Sequence, residues 1–250
     1  MSRAFLRVLG AAIVAAALLS GCIAGGNPRQ PIPTRLVPAG MPASRLVVVL
    51  PGRGDDLEGL LRHRVAEQVH RQWPDADVLL TGLTLAYYRE GQAVPRLDRE
   101  IVQPALERYR QVWLAGISLG GLGALLYDRA HPGVVHGLLL LSPYLGDAPI
   151  HREILAAGGL SSWQPGPAQP IGPQNFQREL WRYLQHWRQH PQRTATTWLA
   201  YGDRERFRTP IEMMSPLLPP GHVVMLSGHH DWTLWSTALP ALLARAGQSP

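Results

Sequence analysis

Two short segments of the sequence carry side chains that could perform covalent chemistry together. The first is Gly-Ile-Ser-Leu-Gly at positions 116–120, between an apolar run, 112–115, and a run rich in Leu, Ala and Gly, 119–127. These runs are typical of a buried strand and a helix, so Ser118 would lie on a tight turn with its hydroxyl lifted off the sheet. Glycines are needed beside it because side chains there would collide with neighbouring backbone. The strand-turn-helix context predicts that Ser118 is a nucleophile.

The second segment lies near the C-terminus and could supply a base. A strand-like run, 223–226, is followed by Gly-His-His-Asp-Trp at 228–232 and then by a helix-like run, 234–246. A histidine on this loop could accept the serine proton, because the ordinary pKa of imidazole lies near neutrality. His229 and His230 cannot both point into one site. The pair could alternatively bind a metal ion, but no Cys or carboxylate ligand set accompanies it, and we expect none.

The histidine segment resembles the Gly-Gly-His-Asp-Trp-x-x-Trp segment of a group of bacterial serine esterases. In that group the base is the histidine directly before Asp-Trp, which implies His230 and leaves His229 where the group has Gly. Over about residues 44–247 the chain resembles a serine hydrolase of the α/β-hydrolase fold, with an oxyanion loop, Ser, acid and His in that order. The resemblance implies a mainly parallel central sheet with helices on both faces.

The acid of such a triad would follow the strand-like run 196–201. Members of this fold usually carry Gly-x-x-Asp there, and counting from Gly202 places Glu205 at the last position. Asp203 has the commoner side chain but lies two residues earlier, where it could instead cap the next helix. Asp147, after the preceding strand, is a more distant candidate. The resemblance therefore implies Glu205 as the acid, with Asp203 as the alternative.

The oxyanion hole can be placed by the same resemblance. A buried strand-like run, 46–50, is followed by Pro-Gly-Arg, where the superfamily has His-Gly-x and offers the amide of x. That position is Arg53, and the second amide should come from Leu119, the residue after the nucleophile. Pro51 replaces the usual histidine, but this does not change a backbone donor. Asp55, three residues before a glutamate, fits a capping box that opens the next helix.

The elements that position these residues alternate between strands and helices. Strand-like runs are 46–50, 77–80, 112–115, 136–141, 196–201 and 223–226, and helix-like runs are 57–73, 94–109, 119–127, 175–190 and 234–246. Such alternation predicts a parallel sheet covered on both faces. Between 144 and 193 the pattern changes, because a stretch dense in Gly, Pro and Ser precedes an amphipathic helix. This segment is either a cap insertion over the site or a sheet-covering helix after an irregular loop.

The N-terminus has the pattern of a lipoprotein leader. Two arginines precede an apolar run, 8–19, which is shorter than the roughly 20 residues of a transmembrane helix. A Leu-Ser-Gly-Cys box then ends at Cys22, so 1–21 is the predicted signal peptide and Cys22 the lipidated residue. Since this is the single cysteine of the chain, the mature protein can form no internal disulfide.

The residue after the lipidation site bears on the location of the protein. Ile23 is not the aspartate that usually retains lipoproteins at the inner membrane, and the resemblance implies an outer-membrane lipoprotein facing the periplasm. The proline-rich segment 22–43 is predicted to be a lipidated tether, and 44–250 to be a single hydrolase domain. The sequence thus predicts anchorage in a bacterial cell envelope through Cys22.

Composition and charge exclude some classes of partner. The net charge of +6 comes entirely from scattered arginines, a pattern that does not favour nucleic acid as a partner. We expect a serine hydrolase that cleaves small-molecule or lipid carboxylic esters without a cofactor. Two alternatives remain open at this level. An acyltransferase could use the same triad, and a lipoprotein could keep the scaffold without activity.

Overall fold

The structure, a computed structural model, describes residues 26–248. Its centre is a seven-stranded sheet with the strand order β1-β3-β2-β4-β5-β6-β7. The strands are β1 (Thr34–Val37), β2 (Arg45–Leu50), β3 (Ala76–Thr81), β4 (Gln111–Ile117), β5 (Gly137–Leu141), β6 (Thr197–Gly202) and β7 (Val223–Leu226). All neighbouring strands are parallel except β1, which runs antiparallel to β3. The predicted α/β-hydrolase architecture is confirmed.

Helices surround this sheet. They are α1 (Leu57–Arg62), α2 (Val65–Gln72), α3 (Leu85–Arg89), α4 (Ala93–Leu97), α5 (Gln103–Leu106), α6 (Leu119–Ala130), α7 (Ala148–Ala156), α8 (Phe176–His186), α9 (Arg208–Met214) and α10 (Trp232–Ala246). A π-helical turn, Asp98–Val102, joins α4 to α5, and 3-10 turns occupy Trp187–Gln189, Pro191–Arg193 and Ser215–Leu217. Within residues 26–248, no helix combines the length and apolarity that crossing a bilayer requires.

The central strands are buried on both faces, which explains their continuous apolar sequences. Along β2, Val48 and Leu50 enter a core shared with α6, α7 and α8, whereas Val47 and Val49 enter a second core shared with α2 and α10. Side chains of a strand alternate between faces, so one apolar run supplies both cores.

Two helix-like runs of the sequence are interrupted in the structure. The predicted helix 57–73 is two helices, because Arg64 adopts a left-handed backbone with φ of 53°. The predicted helix 94–109 contains the π turn, and Pro104 in the first turn of α5 has no amide to donate to the preceding turn. Neither interruption moves the elements that carry the predicted site.

The predicted tether is wrong in its second part. Residues 34–37 form edge strand β1, paired with β3 from Thr34 opposite Thr81 to Val37 opposite Val78. Just before it, the buried Ile32 donates its amide to Glu100 Oε2 at 2.9 Å. The four residues of β1 contain no proline, and an edge strand needs hydrogen bonds on one side only. The predicted signal peptide, 1–21, and Cys22 lie outside the described residues.

The segment 144–193 contributes two helices to one face of the sheet. Leu180, Trp181 and Leu184 of α8 are buried in the core beside α6. The indole of Trp181 donates to the carbonyl of Leu145 at 2.8 Å, which joins α8 to the start of this segment. An ion pair between Arg129 of α6 and Glu179 of α8, at 3.2 Å, holds the two helices together. The segment therefore adds to the helix layer on the α6 face.

Candidate active site

Ser118 lies at the turn between β4 and α6 in a strained backbone conformation. Its φ of 52° and ψ of −109° fall outside the regions that non-glycine residues favour. A Cβ added at Gly116 would lie 2.4 Å from the carbonyl oxygen of Gly120, and one at Gly120 would lie 2.1 Å from that of Leu50. The flanking glycines are therefore required by the close approach of α6 to the sheet, as the sequence predicts.

His230 is brought to Ser118 by the loop between β7 and α10. Asp231 begins α10 as its N-cap, with its carboxylate accepting from the amide of Leu234 at 3.1 Å. This places His230 Nε2 2.9 Å from Ser118 Oγ. The neighbouring His229 is exposed to solvent.

Glu205 completes a hydrogen-bonded row with these two residues. Its Oε1 lies 2.8 Å from His230 Nδ1, and its side chain is fully buried. Because a carboxylate can only accept, Nδ1 carries the proton and donates to Glu205. Nε2 is then the free acceptor, and the Ser118 hydroxyl donates to it. Glu205 thus sets the tautomer of His230 and leaves Nε2 facing the Ser118 hydroxyl.

The surroundings of Glu205 keep it ionised. Burial acts to raise the pKa of this carboxyl. The hydrogen bonds from His230 and from the Phe207 amide, the latter 2.9 Å from Oε1, outweigh burial and hold the pKa below its ordinary value. The hydroxyl of Ser142 lowers the pKa further. Ser142 Oγ and Glu205 Oε2 are both buried, and neither has a hydrogen-bond partner among the described residues.

The two alternative acids make other contacts. Asp203 Oδ1 accepts from the amide of Gly228 at 2.8 Å, and thus braces the histidine loop without touching His230. It does not cap a helix, since the next helix begins at Arg208. Asp147 accepts from the Tyr144 hydroxyl at 2.6 Å. Of the three candidate carboxylates, the structure brings only Glu205 to His230.

The predicted oxyanion donors lie on either side of Ser118. A Cβ added at Gly52 would lie 3.5 Å from that of Ser118, so the turn that carries Arg53 packs against the serine. Leu119 is the first residue of α6, where amides have no acceptor within the helix. In the described part of the chain, neither the Arg53 nor the Leu119 amide donates to another backbone group outside its own element. Both amides are available to a negative oxygen.

The predicted capping box at Asp55 is wrong. The N-cap of α1 is Asp56, whose carboxylate accepts from the amide of Gly59 at 2.8 Å. Asp55 instead accepts from the indole of Trp232 at 2.8 Å. The helix starts one residue later than the spacing of the acidic residues indicates, and this frees Asp55 for a tertiary contact.

Aromatic residues next to His230 were not predicted. The ring of Phe207 lies 4.9 Å from that of His230 and 5.5 Å from that of Tyr144. Tyr144 also donates its amide to the Ser118 carbonyl at 2.9 Å. Tyr144 follows β5, and the carboxyl ends of parallel strands lie at the same end of a sheet. Its position after a strand could therefore have indicated that Tyr144 lies near the site.

One cleft of the structure lies away from Ser118. This cleft, of about 390 Å³, lies at the amino ends of β5 and β6, whereas Ser118 follows the carboxyl end of β4. Its wall contains Asp128, His136 and Arg193. Throughout residues 26–248, no three His, Cys, Asp or Glu side chains are arranged to hold a metal ion.

A family profile covers the part of the chain that carries the three residues of the hydrogen-bonded row. The profile of the Esterase family, described as "Putative esterase", matches residues 99–246, which include Ser118, Glu205 and His230. No curated protein sequence matches the chain.

Several solved structures share the architecture. Est1E from Butyrivibrio proteoclasticus is 16% identical, with a TM-score of 0.58 over 86% of this chain and 94% of that one. S-formylglutathione hydrolase from Staphylococcus aureus is 12% identical, with a TM-score of 0.56 over 82% and 81%. Monoacylglycerol lipase from Paleococcus ferrophilus is 14% identical, with a TM-score of 0.52 over 87% and 100%. At such identities the similarity shows the fold alone.

Proposed function

The chain belongs to the Esterase family, and from this premise we propose that it hydrolyses carboxylic esters through Ser118, His230 and Glu205. The observation that carries the proposal is the continuous row of hydrogen bonds from Ser118 Oγ to His230 and from His230 to Glu205. Family membership supports ester hydrolysis in general, and the row of hydrogen bonds supports the roles proposed for these three residues. The substrate is a small-molecule or lipid ester.

In the first half of the reaction, Ser118 Oγ attacks the acyl carbonyl carbon. His230 Nε2, 2.9 Å away, takes the hydroxyl proton as the new carbon–oxygen bond forms. The carbonyl oxygen becomes an oxyanion, which accepts hydrogen bonds from the Arg53 and Leu119 amides. When the tetrahedral intermediate collapses, the ester bond breaks and His230 returns its proton to the alcohol. The acyl group remains on Ser118.

In the second half, water takes the place of the alcohol. His230 removes a proton from water, the resulting hydroxide attacks the acyl carbon, and Ser118 leaves with a proton from His230. Glu205 stays ionised throughout. It stabilises the imidazolium that forms twice per turnover and holds the ring in one tautomer. No cofactor takes part in these steps.

The proposal is tested by Ser118→Ala with a chromogenic short-chain ester and a fluorophosphonate probe. We expect loss of probe labelling and a fall in kcat of at least about a thousandfold, because the covalent step is removed. Asp203→Asn is the matched control, since it alters a carboxylate beside the histidine loop that does not reach His230. Undiminished turnover by purified Ser118→Ala would exclude Ser118 as the nucleophile.

We also propose that the protein is a lipoprotein of a bacterial cell envelope, anchored through Cys22 and facing the periplasm from the outer membrane. The support lies in the sequence alone: a predicted signal peptide, 1–21, a lipobox, and Ile23 directly after it. Cys22→Ser should move the protein from the membrane fraction to the soluble fraction. Continued recovery of that variant with outer membranes would contradict the proposal.

A further inference from the structure

A single side-chain hydrogen bond joins the two loops that carry opposite halves of the proposed site. The indole Nε1 of Trp232 donates to Asp55 Oδ2 at 2.8 Å. Asp55 follows Arg53 by two residues, and Trp232 follows His230 by two residues. The bond therefore connects the turn after β2 that carries Arg53, the oxyanion turn, to the loop after β7 that carries His230, the histidine loop. The two bonded residues are 177 positions apart in the chain.

The sheet alone does not fix the distance between these loops. The oxyanion turn follows β2, and the histidine loop follows the edge strand β7, with β4, β5 and β6 between them. At about 4.8 Å per strand spacing, β2 and β7 are about 19 Å apart. Both loops reach over the end of the sheet to meet at Ser118, so contacts between the two loops contribute to their relative position.

The partners of this bond are themselves held in place. The amide of Asp55 donates to the carbonyl of Gly52 at 3.1 Å, which closes the turn around Arg53. The Trp232 ring stacks on His63 at 3.9 Å with an interplanar angle of 10°. Two fixed groups joined by a hydrogen bond to a charged acceptor make a rigid connection.

We infer that Asp55 and Trp232 are positioning residues that hold the oxyanion turn against the histidine loop. The connection holds the Arg53 amide where it can bind the oxyanion while His230 Nε2 exchanges protons with Ser118, so that both act on the same bound ester. The inference rests on the proposed function, because it assigns both loops to one reaction. Neither residue touches the reacting atoms in this arrangement.

The test uses the full chain and four variants measured for kcat, KM and the rate of fluorophosphonate labelling. Trp232→Phe keeps an aromatic ring over His63 and removes the indole N–H. Asp55→Ala removes the acceptor, whereas Asp55→Asn keeps an acceptor oxygen. The double variant Trp232→Phe/Asp55→Ala measures whether the two residues act through one bond.

A matched control is available in another indole hydrogen bond. Trp73 Nε1 donates to the carbonyl of Leu243 at 3.0 Å, between α2 and α10 and away from both loops. Trp73→Phe therefore removes a comparable bond without releasing the oxyanion turn. Its kcat should stay within about twofold of the wild-type value, and its thermal midpoint shows what loss of such a bond does to stability.

We expect Trp232→Phe and Asp55→Ala each to lower kcat by about 10- to 100-fold with little change in KM, since a displaced oxyanion donor acts in the transition state. The double variant should be no slower than either single variant, and Asp55→Asn should recover most of the activity. Multiplicative effects, or single variants that behave like Trp73→Phe, would overturn the inference. A wild-type protein that neither labels nor turns over ester would overturn the proposed function instead.

Discussion

Replacing Glu205 with Gln should lower kcat while leaving KM almost unchanged. The structure defines what the exchange does to the hydrogen bonds. The Phe207 amide donates to Oε1, so the amide oxygen of Gln has to occupy that position and can still accept from His230 Nδ1. The NH₂ group then takes the place of Oε2, beside the Ser142 hydroxyl, which can accept from it. Glu205→Gln therefore keeps the tautomer of His230 and removes the negative charge of the carboxylate.

The size of the effect follows from that charge. During the reaction His230 becomes a cation 2.8 Å from the carboxylate, in a site where the Glu205 side chain is fully buried. A hydrogen bond to a charged partner contributes about 1.5–3 kcal/mol, which corresponds to about 10- to 150-fold in kcat. Glu205→Ala should cost more, because it leaves both the Phe207 amide and His230 Nδ1 without their acceptor.

Asp203→Asn is the matched comparison for a carboxylate on the same turn. The amide oxygen of Asn can still accept from the Gly228 amide, so we expect less than about a threefold change in kcat and only a small fall in the free energy of unfolding. Steady-state hydrolysis of a chromogenic ester and urea unfolding measure the two quantities. A larger fall in kcat for Asp203→Asn than for Glu205→Gln would refute the assignment of the acid, and so would Glu205→Gln with wild-type kcat.

Two further predictions concern the scaffold. Gly120→Ala should lower the free energy of unfolding by about 3 kcal/mol or prevent folding, because the added Cβ would lie 2.1 Å from the Leu50 carbonyl oxygen. The control is Gly40→Ala, whose added Cβ would have no atom within 4 Å. In urea titrations this variant should change the free energy of unfolding by less than about 0.5 kcal/mol. Burial raises the pKa of Glu100, but hydrogen bonds from the Ile32 amide and from Arg96 outweigh burial and hold the pKa below the ordinary value of a glutamate. Its stabilising effect is therefore present above that ordinary value and is lost as the pH falls through the lowered pKa. Glu100→Gln should flatten the acid loss of stability, whereas Glu107→Gln on the surface should not, and equal pH curves for both variants would contradict the prediction.

The parts of the site that follow from local rules could be predicted from the sequence. Glycine spacing around Ser118 reflects backbone clashes within one turn, and the structure has those clashes where the pattern places them. The offset from Gly202 to Glu205 is likewise a property of one turn. Strand and helix runs near the site were predictable because burial on both faces leaves continuous apolar sequence.

Contacts between distant segments could not be predicted in this way. The sequence predicts that Asp55 caps a helix, because nothing in it shows that Trp232 lies nearby. Capping the helix and accepting from the Trp232 indole would use the same carboxylate. From the sequence, Asp203 could cap a helix or hold a loop. In the structure it accepts a hydrogen bond from the Gly228 amide, 25 residues away, and so holds the histidine loop. The strand at 34–37 has too few residues to show a pattern, and pairing with β3 determines its structure.

Edge strand β1 also limits how far the protein could extend from a membrane. The sequence predicts a lipidated tether of 22–43, whose roughly 22 residues would span up to about 75 Å when fully extended. The Ile32 amide is fixed to Glu100, so only about ten residues separate a lipid on Cys22 from the folded body, and their extended length is about 35 Å. With that anchor in place, the point where the chain enters the folded body would stay within about 35 Å of the lipid headgroups.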